Sequence, residues 1–294
     1  MRDSVPQMIR SDREVILSGG ALNSPQVLML SGIGDVDRLR AVGITATHDL
    51  PGVGQNLQGH PMIVLKYASR LPVSLLTAAS FGNLLRYVFF RQGPLTSNVA
   101  EALAFVRSRP DLPAPDLELV CAPVFYDVMS PPTVHAFSIG AVALQPKSVG
   151  FVALRSGDPL AKPILQLAYL TDAEGEDLRV LVEGVRLARK IAMASALAPF
   201  RGESLVPGGP MDTDEHIRQF VREHVETIYH PVGTCRMGTD RTAVVDPELR
   251  VRGLDGLRVV DASVMPRIVR GHPNAAIIMI AERAVDLIRG QGAS

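Results

Sequence analysis

The chain has 294 residues, 47% hydrophobic and 20% charged, which is enough to bury a core in one large domain or two modest ones and too apolar for a disordered chain. Lys plus Arg balances Asp plus Glu at 30 each, so the net charge of zero gives no electrostatic case for nucleic acid or for an anionic membrane surface. Two cysteines, Cys121 and Cys235, make no disulfide framework and no zinc-ligand spacing, so no metal is expected and the chain reads as reduced and cytoplasmic.

The N-terminal MRDSVPQMIRSDRE is charged and lacks the apolar core of a signal peptide. No run reaches the ~18 apolar residues of a membrane span. Glu14–Ser18 (EVILS) predicts a buried strand closed by Gly19–Gly20. Ser24 as N-cap and Pro25 at the first helical position predict a helix through Gln26–Leu30, with Gly32 as C-cap. Strand, glycine turn and helix form half of a βαβ unit, which calls for a parallel sheet. Asp35–Val42 predicts a short helix capped by Asp35 and ended by Gly43. Gly52-Val-Gly54 is the nearest approach to a dinucleotide fingerprint, but Leu57 stands where the third glycine belongs, so this is read as a turn-rich loop. His60 is read as a surface or inter-domain histidine.

From Met62 to about Glu223 the composition shifts. Met62–Tyr67, Leu117–Val120, Phe137–Leu144 and Gly150–Leu154 are strand-like, separated by proline clusters at Pro110, Pro113 and Pro115 and at Pro131–Pro132. Lys147–Tyr169 reads strand, turn, strand. Asp172–Ala196 carries apolar residues at helical spacing, and Thr213–Val225 predicts a second helix with Asp212 or Thr213 as N-cap. Strands covered by helices suggest an α+β layer.

The C-terminal run Tyr229–Ala276 carries the chemistry. It opens YHPVGTCRMG, passes through the strand Leu257–Val260 ending in Asp261, and closes RIVRGHPNAA. His230 and His272 stand 42 residues apart, and Asn274 is expected to cap a last helix running to about Arg289, with Gly290 as its C-cap. Histidine, with an unperturbed pKa of about 6.5, suits a base working near neutrality. His230 and Cys235 are spaced H-x4-C, but without further ligands nearby this is a weak metal pair, and both cysteines read as small buried hydrophobes.

This run and Gly20–Gly34 (GALNSPQVLMLSGIG) together resemble the glucose–methanol–choline (GMC) family of FAD-dependent alcohol oxidoreductases, choline and alcohol dehydrogenases among them. The resemblance extends from about Arg13 to Ile288 and covers the C-terminal half or so of a family member. In the family's linker an acidic residue usually precedes the histidine matching His60; here it is Gly59. The resemblance implies an incomplete FAD-binding parallel-sheet domain plus an antiparallel-sheet substrate domain covered by helices. The expected division is 1–61 and 226–294 in the FAD-binding domain and 62–225 in the substrate domain. It further implies oxidation of a primary alcohol, choline-type or aliphatic, by hydride transfer to flavin N5. His230 would be the base, His272 would donate to the substrate oxygen, and Asp261, Ala262, Pro273, Asn274 and Ala275 would contact FAD. The implied partners are the alcohol, an electron acceptor (a carrier or oxygen) and a missing N-terminal half. Two other readings stay open: an inactive fragment lacking the nucleotide-binding motif, and a hydroxynitrile-lyase-like enzyme on the same fold.

Overall fold

The computed structural model describes residues 7–127 and 133–290, so the Pro131–Pro132 turn lies outside the described residues. The chain divides into two compact units. One takes residues up to Gly59, Val149–Ala168 and everything from His230 onward; the other takes His60–Ser148 and Tyr169–Tyr229.

The first unit begins with β1 (Val15–Leu17), α1 (Gly20–Leu30), β2 (Ile33–Gly34), α2 (Val36–Ala41) and β3 (His48–Asp49). β1 is a strand as expected, but not a buried one: Val15 and Ile16 are 47% and 43% exposed. Helix α1 begins at Gly20, behind an N-cap at Gly19, so Ser24 and Pro25 lie inside it. Pro25 has no N–H to give the carbonyl of Ala21 four residues back, which ordinarily breaks a helix. The buried Thr234 hydroxyl donates to that carbonyl instead, at 2.6 Å. The helix ends at Leu30 with Ser31 as C-cap, and Gly32 follows at φ +81°, the left-handed conformation that glycine adopts without a Cβ penalty. The short helix α2 matches expectation: Asp35 accepts from the backbone N–H of Asp37 and Arg38.

The second unit holds a six-stranded antiparallel sheet. It is built from β4 (Pro61–Ser69), β5 (Ala102–Val106), β6 (Leu117–Ala122) and β7 (Ala136–Ala143), then, later in the chain, β10 (Arg201–Val206) and β11 (Glu226–Thr227). The order is β10-β4-β7-β6-β5, with β11 also on β4. Every residue of β7 is buried, as befits a central strand covered on both faces. Helix α3 (Phe81–Phe90) lies between β4 and β5 in the chain, in a stretch for which no element is predicted above, although its apolar positions repeat at helical spacing. Helix α4 (Glu176–Ala192) lays Leu178, Leu181, Val182, Val185 and Ala188 into the sheet's core, each buried Leu or Val contributing about 1.5–3 kcal/mol. Gly184 permits the close approach, since a Cβ there would stand 2.7 Å from the Ala141 Cβ. Helix α5 (Asp214–His224) starts as expected at Thr213, whose hydroxyl accepts from His216 N–H.

The hairpin β8 (Phe151–Ala153) and β9 (Ile164–Gln166) packs in the first unit. That unit closes with β12 (Leu257–Val259), parallel to β1, and α6 (Asn274–Arg289), which ends at Gly290 with φ +71°. The fold is thus mixed α/β, with parallel pairing in one unit and an antiparallel sheet under helices in the other. No described helix is long and apolar enough to cross a membrane.

Candidate active site

The site grows from the end of β12. Asp261 is almost fully buried, and its carboxylate is fully used inside the first unit. One oxygen accepts from Gly20 N–H at 2.9 Å and from the Ser24 hydroxyl at 2.5 Å; the other accepts from Ser263 N–H at 2.7 Å. The Ser24 hydroxyl in turn accepts from Gly19 N–H. A carboxylate at a helix N-terminus is favoured by the helix dipole and by the N–H groups that have no intrahelical partner. This is why α1 starts at Gly20: the cap is Asp261, 241 residues away in sequence, where a local reading saw only Ser24.

The segment after His230 runs beside the turn that follows β12. Gly233, Cys235 and Met237 donate their backbone N–H groups to the carbonyls of Ala262, Ser263 and Val264. Gly233 adopts φ +94°, and a Cβ there would come within 2.5 Å of the Asn56 carbonyl, so glycine is required on both counts. Cys235 is fully buried, and burial pushes its thiol pKa up, which makes it an inert hydrophobe.

Two residues of the Leu50–Pro61 linker, Asn56 and Gln58, tie the two histidine segments together. Asn56 donates from its side-chain amide to the carbonyls of Gly233 and Pro266. Buried Gln58 exchanges backbone bonds with Val232, donates to Pro266 O at 3.1 Å and accepts from Ile268 N–H at 3.1 Å. Val232 follows His230 by two residues and Ile268 precedes His272 by four, so one glutamine fixes both loops. No spacing rule announces such a residue from 172 positions away.

The two expected histidines do come together. The rings of His230 and His272 are 5.0 Å apart, centroid to centroid, and meet edge to face at 72°. His230 is half-buried and His272 exposed. Burial first, and then the neighbouring His272, push the His230 pKa from 6.5 down to about 4. Its imidazole is therefore neutral, and able to accept a proton, through the neutral range.

The positions expected to touch a cofactor divide. Asp261, Ala262 and Pro273 are buried, whereas Asn274 and Ala275 are exposed on the first turn of α6. Asn274 does not cap that helix: Pro273 holds the N-cap position with no side-chain cap bond, and Asn274 is the first helical residue. The first helical bond runs from Ile277 N–H to Pro273 O, so the N–H groups before it lie outside the helix ladder. His60 is buried rather than at the surface, its Nε2 3.1 Å from the Leu144 carbonyl oxygen. Among the described residues no cluster of three or more metal-ligating side chains forms.

Comparison with known proteins meets this geometry from both ends of the chain. The GMC oxidoreductase family models match residues 1–62 and 146–281. Mitochondrial choline dehydrogenase of Homo sapiens is 44% identical over 96% of this chain and 49% of its own length. An alcohol dehydrogenase [acceptor] of Pseudomonas putida is 43% identical over 94% of this chain and 51% of its own. The chain thus spans about half the length of the curated relatives it matches. Among solved structures, a pyridoxine 4-oxidase from Mesorbium loti superposes with a TM-score of 0.81 at 31% identity, covering 95% of this chain and 52% of the other. The family and its solved members are FAD-binding flavoproteins. With the motif segments of both ends paired to each other in the first unit, and both family models matched, the chain belongs to the GMC oxidoreductase family.

Proposed function

We propose that this chain carries the alcohol-side machinery of a FAD-dependent oxidation, in which a primary alcohol of choline or aliphatic type becomes the aldehyde. The histidine pair carries the reading: two imidazoles 5.0 Å apart, one of them held neutral. His230 accepts the hydroxyl proton, and His272 donates an N–H to the same oxygen as negative charge develops on it. A base with a pKa near 4 is always ready but weak, so the donor on the substrate oxygen matters: by stabilising the developing alkoxide it makes the hydroxyl easier to deprotonate.

Bound FAD supplies the acceptor, at flavin N5, for the hydride that leaves the alcohol carbon as the proton leaves its oxygen. The residues present fit that group. The exposed first turn of α6 offers Asn274 and Ala275 N–H groups with the positive end of a 16-residue helix behind them, suited to an electron-rich ring edge. Asp261 contributes indirectly by fixing the Gly19–Gly20 turn, since its own carboxylate is saturated. The names of the human and Pseudomonas putida relatives, a choline dehydrogenase and an alcohol dehydrogenase [acceptor], favour choline or another alcohol as substrate and a separate electron acceptor.

The test is a visible spectrum of the purified chain after incubation with FAD and gel filtration, followed by anaerobic addition of choline or a medium-chain alcohol. A retained flavin band that bleaches with alcohol is expected. His230→Gln should keep the band and slow bleaching by about 10²–10⁴-fold. A retained band that no alcohol bleaches would point to proton chemistry of the lyase kind, and a colourless protein would show that the chain alone does not hold the cofactor.

A further inference from the structure

Helix α3 differs from the other described α-helices, because none of its ten residues is buried. Phe81, Leu84, Leu85, Val88 and Phe89 fall on one side of it, at the i, i+3, i+4, i+7, i+8 positions of an apolar stripe. Phe81 and Phe89 are 74% and 71% exposed, and Phe90, which projects elsewhere, is 70% exposed. A helix this short is marginal in water and is ordinarily held by burying its apolar face. Four of the chain's nine Phe and five Tyr sit in these ten residues, so the aromatic surface is concentrated here.

The charge of the region is equally uneven. Within α3 and its C-cap there are two arginines, Arg86 and Arg91, and no acidic residue. The zero net charge of the whole chain conceals this local excess. Arg86 and Asn83 lie on the side of α3 opposite the apolar stripe, and Arg91, at the left-handed C-terminus, stacks over the Tyr87 ring at 5.1 Å. An apolar, aromatic face backed by arginine is the pattern of a helix lying in the plane of a membrane interface.

We infer that α3 is an interfacial anchor, laying Phe81, Leu84, Leu85, Val88 and Phe89 into the headgroup boundary of a bilayer whose anionic lipids attract Arg86 and Arg91. The anchor is independent of the histidine site and holds whatever the chain catalyses. It also differs from a membrane span, because ten residues rising 1.5 Å each cover about half a hydrocarbon core.

The test is co-sedimentation of the purified chain with vesicles of phosphatidylcholine alone, and of phosphatidylcholine with roughly 30 mol% phosphatidylserine. The chain should pellet with the second and much less with the first. The variant Phe81→Ser/Leu85→Ser/Phe89→Ser should bind on the order of 100-fold more weakly. All three side chains are solvent-exposed, so its thermal transition should be unchanged. Arg86→Glu should weaken binding to the anionic vesicles at least about fivefold and leave the weak binding to neutral vesicles as it was. Failure to pellet with either vesicle overturns the inference. So does self-association that the triple serine variant abolishes, or vesicle binding that the variant retains.

Discussion

At the scale of single residues, His230 links structure to a measurable pH dependence. Its pKa falls from 6.5 in the unfolded chain to about 4 in the folded one. Between those values the unfolded state binds the extra proton, so stability from this group is complete above pH 6.5 and declines as pH falls toward 4. Denaturant titrations at a series of pH values should show the wild type losing ground to His230→Asn across that window, and a constant difference between them above it. A difference that did not change with pH would mean the ring is not desolvated as the structure has it. Both histidines stand out in the sequence as candidates, because each sits in a local motif, and the structure brings their rings within 5.0 Å. The depressed pKa was not legible there, because burial and a ring 42 residues away produce it.

At the scale of elements, α1 shows how a sequence rule is overruled. Ser followed by Pro is a strong local start signal, and the first turn would indeed leave a proline harmless. The helix nonetheless begins at Gly20, since Asp261 supplies the cap and Thr234 supplies the donor that Pro25 lacks. Thr234→Val keeps the shape and removes the hydroxyl, leaving the Ala21 carbonyl buried and unpaired. It should lower stability by about 1–3 kcal/mol in urea denaturation. Adding Pro25→Ala returns an N–H to the same carbonyl, so the double variant should recover part of that loss relative to Thr234→Val alone. Equal stability of the single and double variants would show that the hydroxyl does not stand in for the missing N–H. By contrast α2 and α5 were legible to within a residue, because Asp35 and Thr213 cap them from the adjacent position and no distant group competes. Helix α6 again started differently from its local signal, with Pro273 in the place expected for Asn274.

At the scale of the whole molecule, apolar surface remains open in the first unit as well as on α3. Among the described residues β1 pairs only with β12, which leaves its other edge without a strand, and Val15 and Ile16 are exposed beside it. Ile278 and Met279 are exposed on α6. Unpaired edges and open apolar faces favour association. Sedimentation velocity of the chain alone should show concentration-dependent self-association that survives the α3 serine variant. A single monomeric species across the concentration range would refute it. The amino-acid sequence by itself determined the two family motifs, the mixed α/β composition, the helices with adjacent caps and the two histidines, because propensity, capping and periodicity act over a few residues. Only the tertiary structure decided where α1 begins, that Asn56 and Gln58 pin the histidine loops, that His60 is buried and that α3 stands bare. Each of those depends on hydrogen bonds or burial between segments remote in the chain, which no local pattern encodes.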